Sequence, residues 1–169
     1  MSLNYKDLIR DVPDFPIQGV LFRDVSPLLQ NAEGLKKVAD DFGKLIDLKD
    51  VDLFVGIESR GFIFASLLAS HFNKGFLPLR KAGKLPPPTI KESYKLEYGE
   101  ATLEIAPSSK PQKVVVCDDV LATGGTLKAA ISLCEKAGYK VSDVLVLINL
   151  KFLNKMTFKN EEIKSLIQY

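Results

Sequence analysis

The sequence has few of the residues on which metal sites and disulfide frameworks depend. Its 169 residues include one histidine and two cysteines. Cys117 and Cys134 lie far apart and form no Cys-x-x-Cys pair, which excludes the common structural zinc motifs. Isolated cysteines are typical of proteins kept in a reducing compartment, so we expect free thiols and a cytoplasmic location.

Long apolar runs and a strong charge bias are also missing. No apolar stretch reaches membrane-spanning length, and charged residues interrupt the first ten positions, unlike a signal peptide. The 23 basic and 21 acidic side chains give a net charge of +2, without the basic excess of a nucleic-acid-binding protein. We therefore expect neither a membrane nor a nucleic acid as partner.

What the chain does contain is an alternation of apolar β-type runs with helical patterns. Strands are predicted at residues 53–57, 75–79, 113–117 and 141–148, and helices after Asn31, through residues 62–72 and at about 124–137. The second helix is apolar nearly all round, as expected at an interface or deep in a core. The alternation predicts an α/β fold with a mostly parallel central sheet flanked by helices. The length predicts one domain, residues 1–169.

Three segments depart from this alternation. Residues 11–19 contain Pro13, Pro16 and Gly19 and are predicted to be a loop. The segment at about 80–105, here called the lid, carries three consecutive prolines and no helical period. Its length suggests a functional cover, formed by two antiparallel strands with a mobile tip. After Leu150 a helical stretch is predicted near 160–164 and an edge strand at 165–169.

The most informative run follows the third predicted strand. Two adjacent acids, Asp118 and Asp119, precede a turn of small residues that opens a helix. Backbone N–H groups in such a turn, together with the positive end of the helix dipole, favour a bound anion. Acids beside an anion site require a ligand that also carries hydroxyls or a metal. The run therefore predicts a ribose 5-phosphate site made by Asp118, Asp119, Ala122, Thr123, Gly124, Gly125 and Thr126.

The run differs from the commoner phosphate loops. It lacks the Gly-Lys-Ser or Gly-Lys-Thr of nucleoside triphosphate loops and the Gly-x-Gly-x-x-Gly of dinucleotide folds. The remaining alternative is an ordinary Gly-Gly loop after a buried strand, with two solvated acids.

Further segments occur with this run in an order similar to that of a known family. The chain resembles the adenine phosphoribosyltransferases, which have the type I phosphoribosyltransferase fold. The resemblance is carried by Gly19-Val20-Leu21-Phe22-Arg23-Asp24, Glu58-Ser59-Arg60-Gly61-Phe62, Arg80-Lys81, Gly83-Lys84-Leu85-Pro86, Ser93-Tyr94, Leu96-Glu97-Tyr98-Gly99, residues 118–126 and residues 165–169.

The resemblance implies purine salvage, in which the 5-phosphoribosyl group of phosphoribosyl pyrophosphate is transferred to adenine to give AMP and pyrophosphate. It also implies a homodimer, a hood formed by residues near 1–30, and magnesium held by substrate oxygens with no direct protein ligand. The implied catalytic residues are Glu97, as acid/base, with Asp118 and Asp119, while Tyr98 belongs to the lid. Pyrophosphate would contact Ser59, Arg60, Gly61, Arg80, Lys81 and Lys84, and adenine would contact Leu21, Phe22, Arg60 and Leu150.

The residues alone leave other interpretations open. Arg80, Lys81 and Lys84 are also consistent with a solvated basic loop, Phe22 with a core aromatic, and Glu97 with an ordinary surface acid. The same fold would also suit an enzyme for 6-oxopurines, or a regulator that senses phosphoribosyl pyrophosphate. His71, on the apolar helix, is predicted to pack or cap.

Overall fold

The computed structural model describes residues 3–95 and 99–169 and places them around a seven-stranded sheet. Its strands are β3 (Leu53–Ile57), β4 (Gly75–Lys81), β5 (Ile90–Lys95), β6 (Glu100–Ile105), β7 (Lys113–Leu121), β8 (Lys140–Asn149) and β11 (Lys164–Gln168). The order across the sheet is β11-β8-β7-β3-β4-β6-β5. Neighbours from β11 to β4 are parallel, whereas β6 pairs antiparallel with both β4 and β5.

Helices cover both faces of this sheet, as the alternating pattern predicted. They are α1 (Ser26–Leu29), α2 (Ala32–Gly43), α3 (Gly61–His71) and α4 (Gly125–Lys136). Along β7, Val115 and Cys117 pack in one core cluster with residues of α2 and α3, while Val114 and Val116 pack in a second cluster with residues of α4. The period-2 alternation of strand side chains explains this division, because successive residues point to opposite faces.

Several local predictions are confirmed. The Oδ1 atom of Asn31 accepts the Gly34 N–H at 2.8 Å and caps α2. His71 packs edge-on against Phe72 at the end of α3, with its Nε2 atom 2.9 Å from Asp40 Oδ1. The two lid strands are antiparallel, as expected. The edge strand predicted at 165–169 is observed as β11, Lys164–Gln168, at one edge of the sheet.

Three boundaries differ from the sequence prediction. Strand β7 continues to Leu121, so Asp118 and Asp119 lie inside the strand, near its carboxyl end, rather than after it. Asp118 still pairs with Val146 of β8, which keeps this segment extended. The predicted loop 11–19 begins inside a small strand, because β1 (Arg10–Val12) pairs with β2 (Phe22–Asp24) and leaves the prolines in the connection.

The third difference concerns the stretch 160–164, for which a helix was predicted. It contains instead part of a hairpin of β9 (Thr157–Phe158) and β10 (Glu161–Glu162), followed by the start of β11. Lys159 and Asn160 have φ angles of 52° and 66°, in the left-handed region. Two successive residues in that conformation form a turn and cannot continue a right-handed helix.

The lid is attached at its base to the rest of the molecule. Glu92 of β5 accepts a hydrogen bond from Ser132 at 3.3 Å and forms an ion pair with Lys136, both on α4. Glu104 of β6 is buried and accepts the backbone N–H groups of Lys84 and Leu85, each at 2.7 Å. These contacts fix both strands and the start of the loop between β4 and β5. Within residues 3–95 and 99–169, no helix has the length and apolar character needed to cross a membrane.

Candidate active site

A cleft of about 380 Å³ opens at the carboxyl ends of β3 and β7. Ligand sites in open α/β sheets lie at this edge, so the position agrees with the topology. Most of the predicted sugar-phosphate and pyrophosphate residues line it: Ser59, Arg60, Lys81, Asp118, Asp119, Ala122, Thr123, Gly124, Gly125 and Thr126. The structure thus brings these residues together in one cavity.

The turn between β7 and α4 has the geometry of an anion cradle. Gly124 has φ 89°, in the left-handed region that favours glycine, and α4 begins at the next residue. A Cβ atom on Gly124 would lie 3.0 Å from Met156 Sδ, so the position is also crowded. Because Gly124 offers no side-chain cap, the first amide groups of α4 remain available to a ligand in the cleft.

The two aspartates line the same cleft, with Asp119 buried and Asp118 half-buried. Asp119 is 3% exposed, and Arg60 Nε lies 2.7 Å from its Oδ2 atom. This contact is an ion pair without hydrogen-bond alignment, and Oδ2 has no aligned donor within the described part of the chain. Asp118 Oδ1 accepts the Asp119 backbone N–H at 2.9 Å.

Burial raises the pKa of both carboxyls above the ordinary aspartate value. Repulsion from Asp119 adds to the rise for Asp118, whereas the guanidinium of Arg60 opposes it for Asp119. Ionising both carboxyls therefore costs free energy. A ligand that carries hydroxyls or a cation would offset that cost.

Residues 58–61 supply a second set of polar groups. Ser59 and Arg60 lie in the cleft, at the connection from β3 to α3, and the peptide bond between Glu58 and Ser59 is cis. Gly61 packs against β7, because a Cβ there would lie 2.7 Å from the carbonyl oxygen of Cys117. This close approach holds the amino end of α3 beside the acidic pair.

The three predicted lid cations take different positions. Lys81 lines the cleft. Arg80 turns to Glu58, to whose Oε2 and Oε1 atoms its Nε and Nη2 donate at 3.2 and 3.3 Å. These hydrogen bonds lower the pKa of Glu58. Lys84 contributes its backbone N–H to Glu104 and does not line the cleft.

A second, more apolar groove of about 410 Å³ lies next to the cleft. Phe15 and Phe22 face each other edge-on at 5.1 Å, and both line it. Arg60 lines both cavities, with its guanidinium carbon 5.2 Å from the centre of the Phe22 ring. Of the other predicted adenine contacts, Leu21 is exposed and Leu150 is buried directly after β8.

Glu97 and Tyr98 lie outside the described residues. Their neighbour Tyr94 lines the cleft, and its hydroxyl accepts a hydrogen bond from Thr126 Oγ1 at 3.4 Å. The lid strand β5 thus reaches the anion cradle. Sequence reasoning assigned no role to Tyr94, Glu58 or Glu104. An acid between Leu103 and Ile105 in a predicted strand was the available signal for Glu104.

The acidic groups do not form a complete metal cage. In the portion of the chain that the structure covers, no three His, Cys, Asp or Glu side chains are grouped so as to hold an ion. A divalent cation in this cleft would need most of its oxygen ligands from the substrate, as is usual for Mg²⁺ with phosphate compounds.

Comparisons with known proteins agree with this geometry. Residues 24–161 match the family model of the phosphoribosyl transferase domain. The adenine phosphoribosyltransferase of Bdellovibrio bacteriovorus is 60% identical over 167 residues, which cover 99% of this chain and 100% of that protein. The crystal structure of the enzyme of the same name from Thermoanaerobacter pseudethanolicus has 38% identity and a TM-score of 0.89, with 98% of each chain covered.

A third relative was crystallised with ligands. It is the adenine phosphoribosyl transferase of Trypanosoma brucei, in complex with AMP, pyrophosphate and ribose-5-phosphate. Identity is 27% and the TM-score 0.83, covering 97% of this chain and 78% of that one. The mostly parallel sheet, the matched domain and the full-length identity together place this chain in the adenine phosphoribosyltransferase family, with the type I phosphoribosyltransferase fold.

Proposed function

We infer that this protein is a pentosyltransferase of purine salvage. It transfers the 5-phosphoribosyl group of phosphoribosyl pyrophosphate to adenine and releases AMP and pyrophosphate. The observation that carries this function is the meeting, in one cleft, of two adjacent aspartates with a glycine-built amide cradle. The full-length relatives named adenine phosphoribosyltransferase support adenine as the base.

The cradle binds the 5-phosphate through backbone N–H groups of residues 122–126, with the dipole of α4 adding positive potential. Asp118 and Asp119 accept hydrogen bonds from the ribose hydroxyls. When the C1–O bond to pyrophosphate breaks, positive charge grows on the sugar, and two carboxylates beneath it stabilise that charge. Their raised pKa values mark the cost of holding them ionised before the substrate binds.

Pyrophosphate binds at the other end of the cleft. Its proposed partners there are the amide groups of Ser59, Arg60 and Gly61 and the ammonium of Lys81; Ser59, Arg60 and Lys81 line the cleft. Arg80 and Lys84 complete this set on the lid side. Arg80 donates to Glu58 through Nε and Nη2 and does not line the cleft of its own chain, so we propose that it acts on the pyrophosphate of a neighbouring subunit.

Magnesium fits this donor set as a companion of the substrate. The two aspartates supply oxygen atoms but too few for a protein cage, so pyrophosphate and sugar oxygens hold the ion, with water-mediated help from the acids. When bound, the ion supplies positive charge to the departing pyrophosphate.

The base binds in the groove next to the cleft and stacks on Phe22. Leu150, which is buried and does not line that groove, is the predicted contact on its other side. An aromatic face stacks on the purine ring, and backbone groups of Leu21 and Arg60 read its edge. Glu97 acts on the imidazole edge as acid/base, and Tyr98 closes with it over the site. A carboxyl group on a closing lid loses water, which raises its pKa toward a useful range.

A second copy of this chain is the expected partner. Ile63 and Phe76 are exposed apolar residues, and Phe76 packs edge-on against Phe62. The guanidinium carbon of Arg80 lies 6.0 Å from the centre of the Phe62 ring. Continuity between this apolar surface and a predicted pyrophosphate residue favours a homodimer that shares its sites, with Arg80 reaching the partner's cleft.

Mixing two inactive variants tests the shared site. Neither Arg80→Ala nor Asp118→Asn alone should turn over adenine at an appreciable rate. Co-folded in equal amounts, they should recover about a quarter of the wild-type rate, because half of the dimers then contain one intact composite site. If the mixture is no more active than the two variants measured separately, the site is not shared between subunits.

We further propose that the chain acts in the cytoplasm as one domain, with residues 1–30 as hood and about 80–105 as a movable lid.

Comparison of adenine with hypoxanthine as the base tests the function itself. Release of pyrophosphate with adenine and little with hypoxanthine is the expected result. Preference for hypoxanthine would indicate a 6-oxopurine enzyme, and no release with any base would indicate a phosphoribosyl pyrophosphate sensor.

A further inference from the structure

Tyr169 joins two segments that lie far apart in the sequence. Its backbone N–H donates to the carbonyl oxygen of Asn149 at 3.1 Å, and its carbonyl oxygen accepts the N–H of Lys151 at 2.9 Å. These two hydrogen bonds flank Leu150 on both sides. The peptide groups that carry Leu150 are therefore held by Tyr169, beyond the end of the parallel pairing between β8 and β11.

The side chain of Tyr169 contacts the hood. The guanidinium carbon of Arg23 lies 3.7 Å from the centre of the Tyr169 ring, and Lys6 Nζ lies 4.6 Å from it. Arg23 is largely buried, with 13% of its side chain exposed, and also forms an ion pair with Asp11 of β1. A guanidinium at this distance over an aromatic face makes a cation–π contact.

Arg23 is the neighbour of Phe22 on β2. Successive side chains of a strand point to opposite faces, so a contact that fixes Arg23 from one side fixes the backbone from which Phe22 projects on the other. Through its backbone Tyr169 holds Leu150, and through its ring it holds the strand that carries Phe22.

We propose that Tyr169 is a positioning residue that sets the spacing between the two walls of the adenine site. This inference rests on the proposed function, in which Phe22 and Leu150 sandwich the base. Tyr169 itself does not line the cleft or the apolar groove. Its loss should therefore weaken the binding of the base and leave the ribose 5-phosphate cradle unaffected.

Tyr169→Ala and Tyr169→Phe form the matched pair for this test. The alanine variant keeps the backbone hydrogen bonds and loses the ring, and we expect KM for adenine to rise about fivefold. KM for phosphoribosyl pyrophosphate and kcat should change by less than about twofold. The phenylalanine variant retains an aromatic face for Arg23 and should restore the wild-type KM for adenine.

Leu166→Ala controls for general destabilisation. Leu166 lies on β11, three residues before Tyr169, and packs against the core cluster that includes residues of α2 and α3. If this variant raises KM for adenine as much as Tyr169→Ala does, the effect belongs to the stability of β11 and the proposal is wrong. An unchanged KM for adenine in Tyr169→Ala would also overturn it.

Arg23→Met keeps the test open if Tyr169→Ala does not fold. It removes the cation and leaves the ring in place, and it should produce the same selective rise in KM for adenine. A rise in KM for phosphoribosyl pyrophosphate of equal size would contradict the proposal. Absence of adenine turnover in the unmodified protein would overturn the proposed function together with this inference, whereas normal turnover with an unshifted KM in the variants overturns this inference alone.

Discussion

The two walls of the candidate active site are built in different ways. The proposed wall for ribose and phosphate consists of consecutive residues, 118–126, that pass from the end of β7 into α4. The proposed wall for the base combines Phe22 from β2, Arg60 just before α3 and Leu150 directly after β8. Local geometry thus determines the first wall, and contacts between distant segments determine the second.

This difference separates the chemistry from the specificity. The consecutive wall carries two carboxylates and a glycine in the left-handed region, which we propose act on the sugar and its phosphate. The assembled wall carries aromatic and apolar groups, which we propose select the base. Changes to the first wall should therefore affect the rate or the sugar-phosphate affinity, whereas changes to the second should affect KM for adenine.

The largest expected effect is on the acidic pair. Asp118→Asn removes a negative charge from beneath the developing positive charge on the sugar, and kcat should fall by about a thousandfold. Steady-state rates at saturating substrates, with circular dichroism as a check of folding, measure this. A folded Asp118→Asn protein that retains more than a tenth of wild-type kcat would remove the pair from the mechanism.

The next largest effect is expected at Glu97, the proposed acid/base residue. Glu97→Gln keeps the shape of the side chain and removes its ability to exchange a proton, so kcat should fall by about a hundredfold with KM values little changed. The dependence of kcat on pH should lose one limb in the variant. A near-normal kcat would mean that Glu97 takes no part in proton transfer and that the lid only covers the site.

Gly124→Ala tests whether the cradle needs its left-handed turn. At φ 89° an alanine is strained, and its Cβ would crowd Met156 Sδ. The free energy of unfolding should fall by about 1–2 kcal/mol and KM for phosphoribosyl pyrophosphate should rise about tenfold. Gly138→Ala offers a matched control, since that glycine also has positive φ, lines neither cavity, and a Cβ added there would make only an ordinary contact 3.7 Å from Ser108 Cβ. Equal effects of both variants on KM would show that the cradle is not specifically involved.

The base wall should respond more weakly. Phe22→Leu preserves apolar character and removes the aromatic face, so KM for adenine should rise about fivefold while KM for phosphoribosyl pyrophosphate stays constant. Kinetics with each substrate varied in turn distinguish the two. A rise confined to KM for phosphoribosyl pyrophosphate would show that Phe22 belongs to the sugar-phosphate wall and not to the base wall.

The smallest effect concerns pH and stability. Because the folded-state pKa values of Asp118 and Asp119 are raised, the folded protein binds protons more tightly there than the unfolded chain does. Their contribution to stability is therefore lost as the pH rises from the ordinary aspartate pKa through the raised values. Asp118→Asn should be more stable than wild type at pH 7, by about 1 kcal/mol, and the difference should shrink toward pH 4. Denaturant titrations at both pH values measure this, and a difference independent of pH would contradict the raised pKa.

The sequence predicts the features built from consecutive residues better than those built from distant segments. The bounds of β3 and the cap of α2 at Asn31 follow from local patterns, and the cradle from one continuous run. The hairpin near 157–162 could not be predicted, because its turn depends on Lys159 and Asn160 adopting left-handed angles, which no apolar period reveals. The pairing of Arg80 with Glu58 likewise depends on two strand ends meeting in space.

The base wall was accessible only through the resemblance to a family. No local pattern connects Phe22 with Leu150 across the long stretch of chain between them, and an isolated phenylalanine is usually part of a core. Tyr169, which bridges these two segments, has no recognisable motif of its own. Long-range contacts of this kind require the folded structure.

A crystal structure of the protein with AMP bound would show directly whether residues 118–126 hold the ribose 5-phosphate. We expect phosphate oxygens about 3 Å from the backbone nitrogen atoms of residues 123–126, with the ribose hydroxyls donating to Asp118 and Asp119. A nucleotide whose phosphate lies outside this turn, with both carboxylates directed away from the sugar, would contradict it.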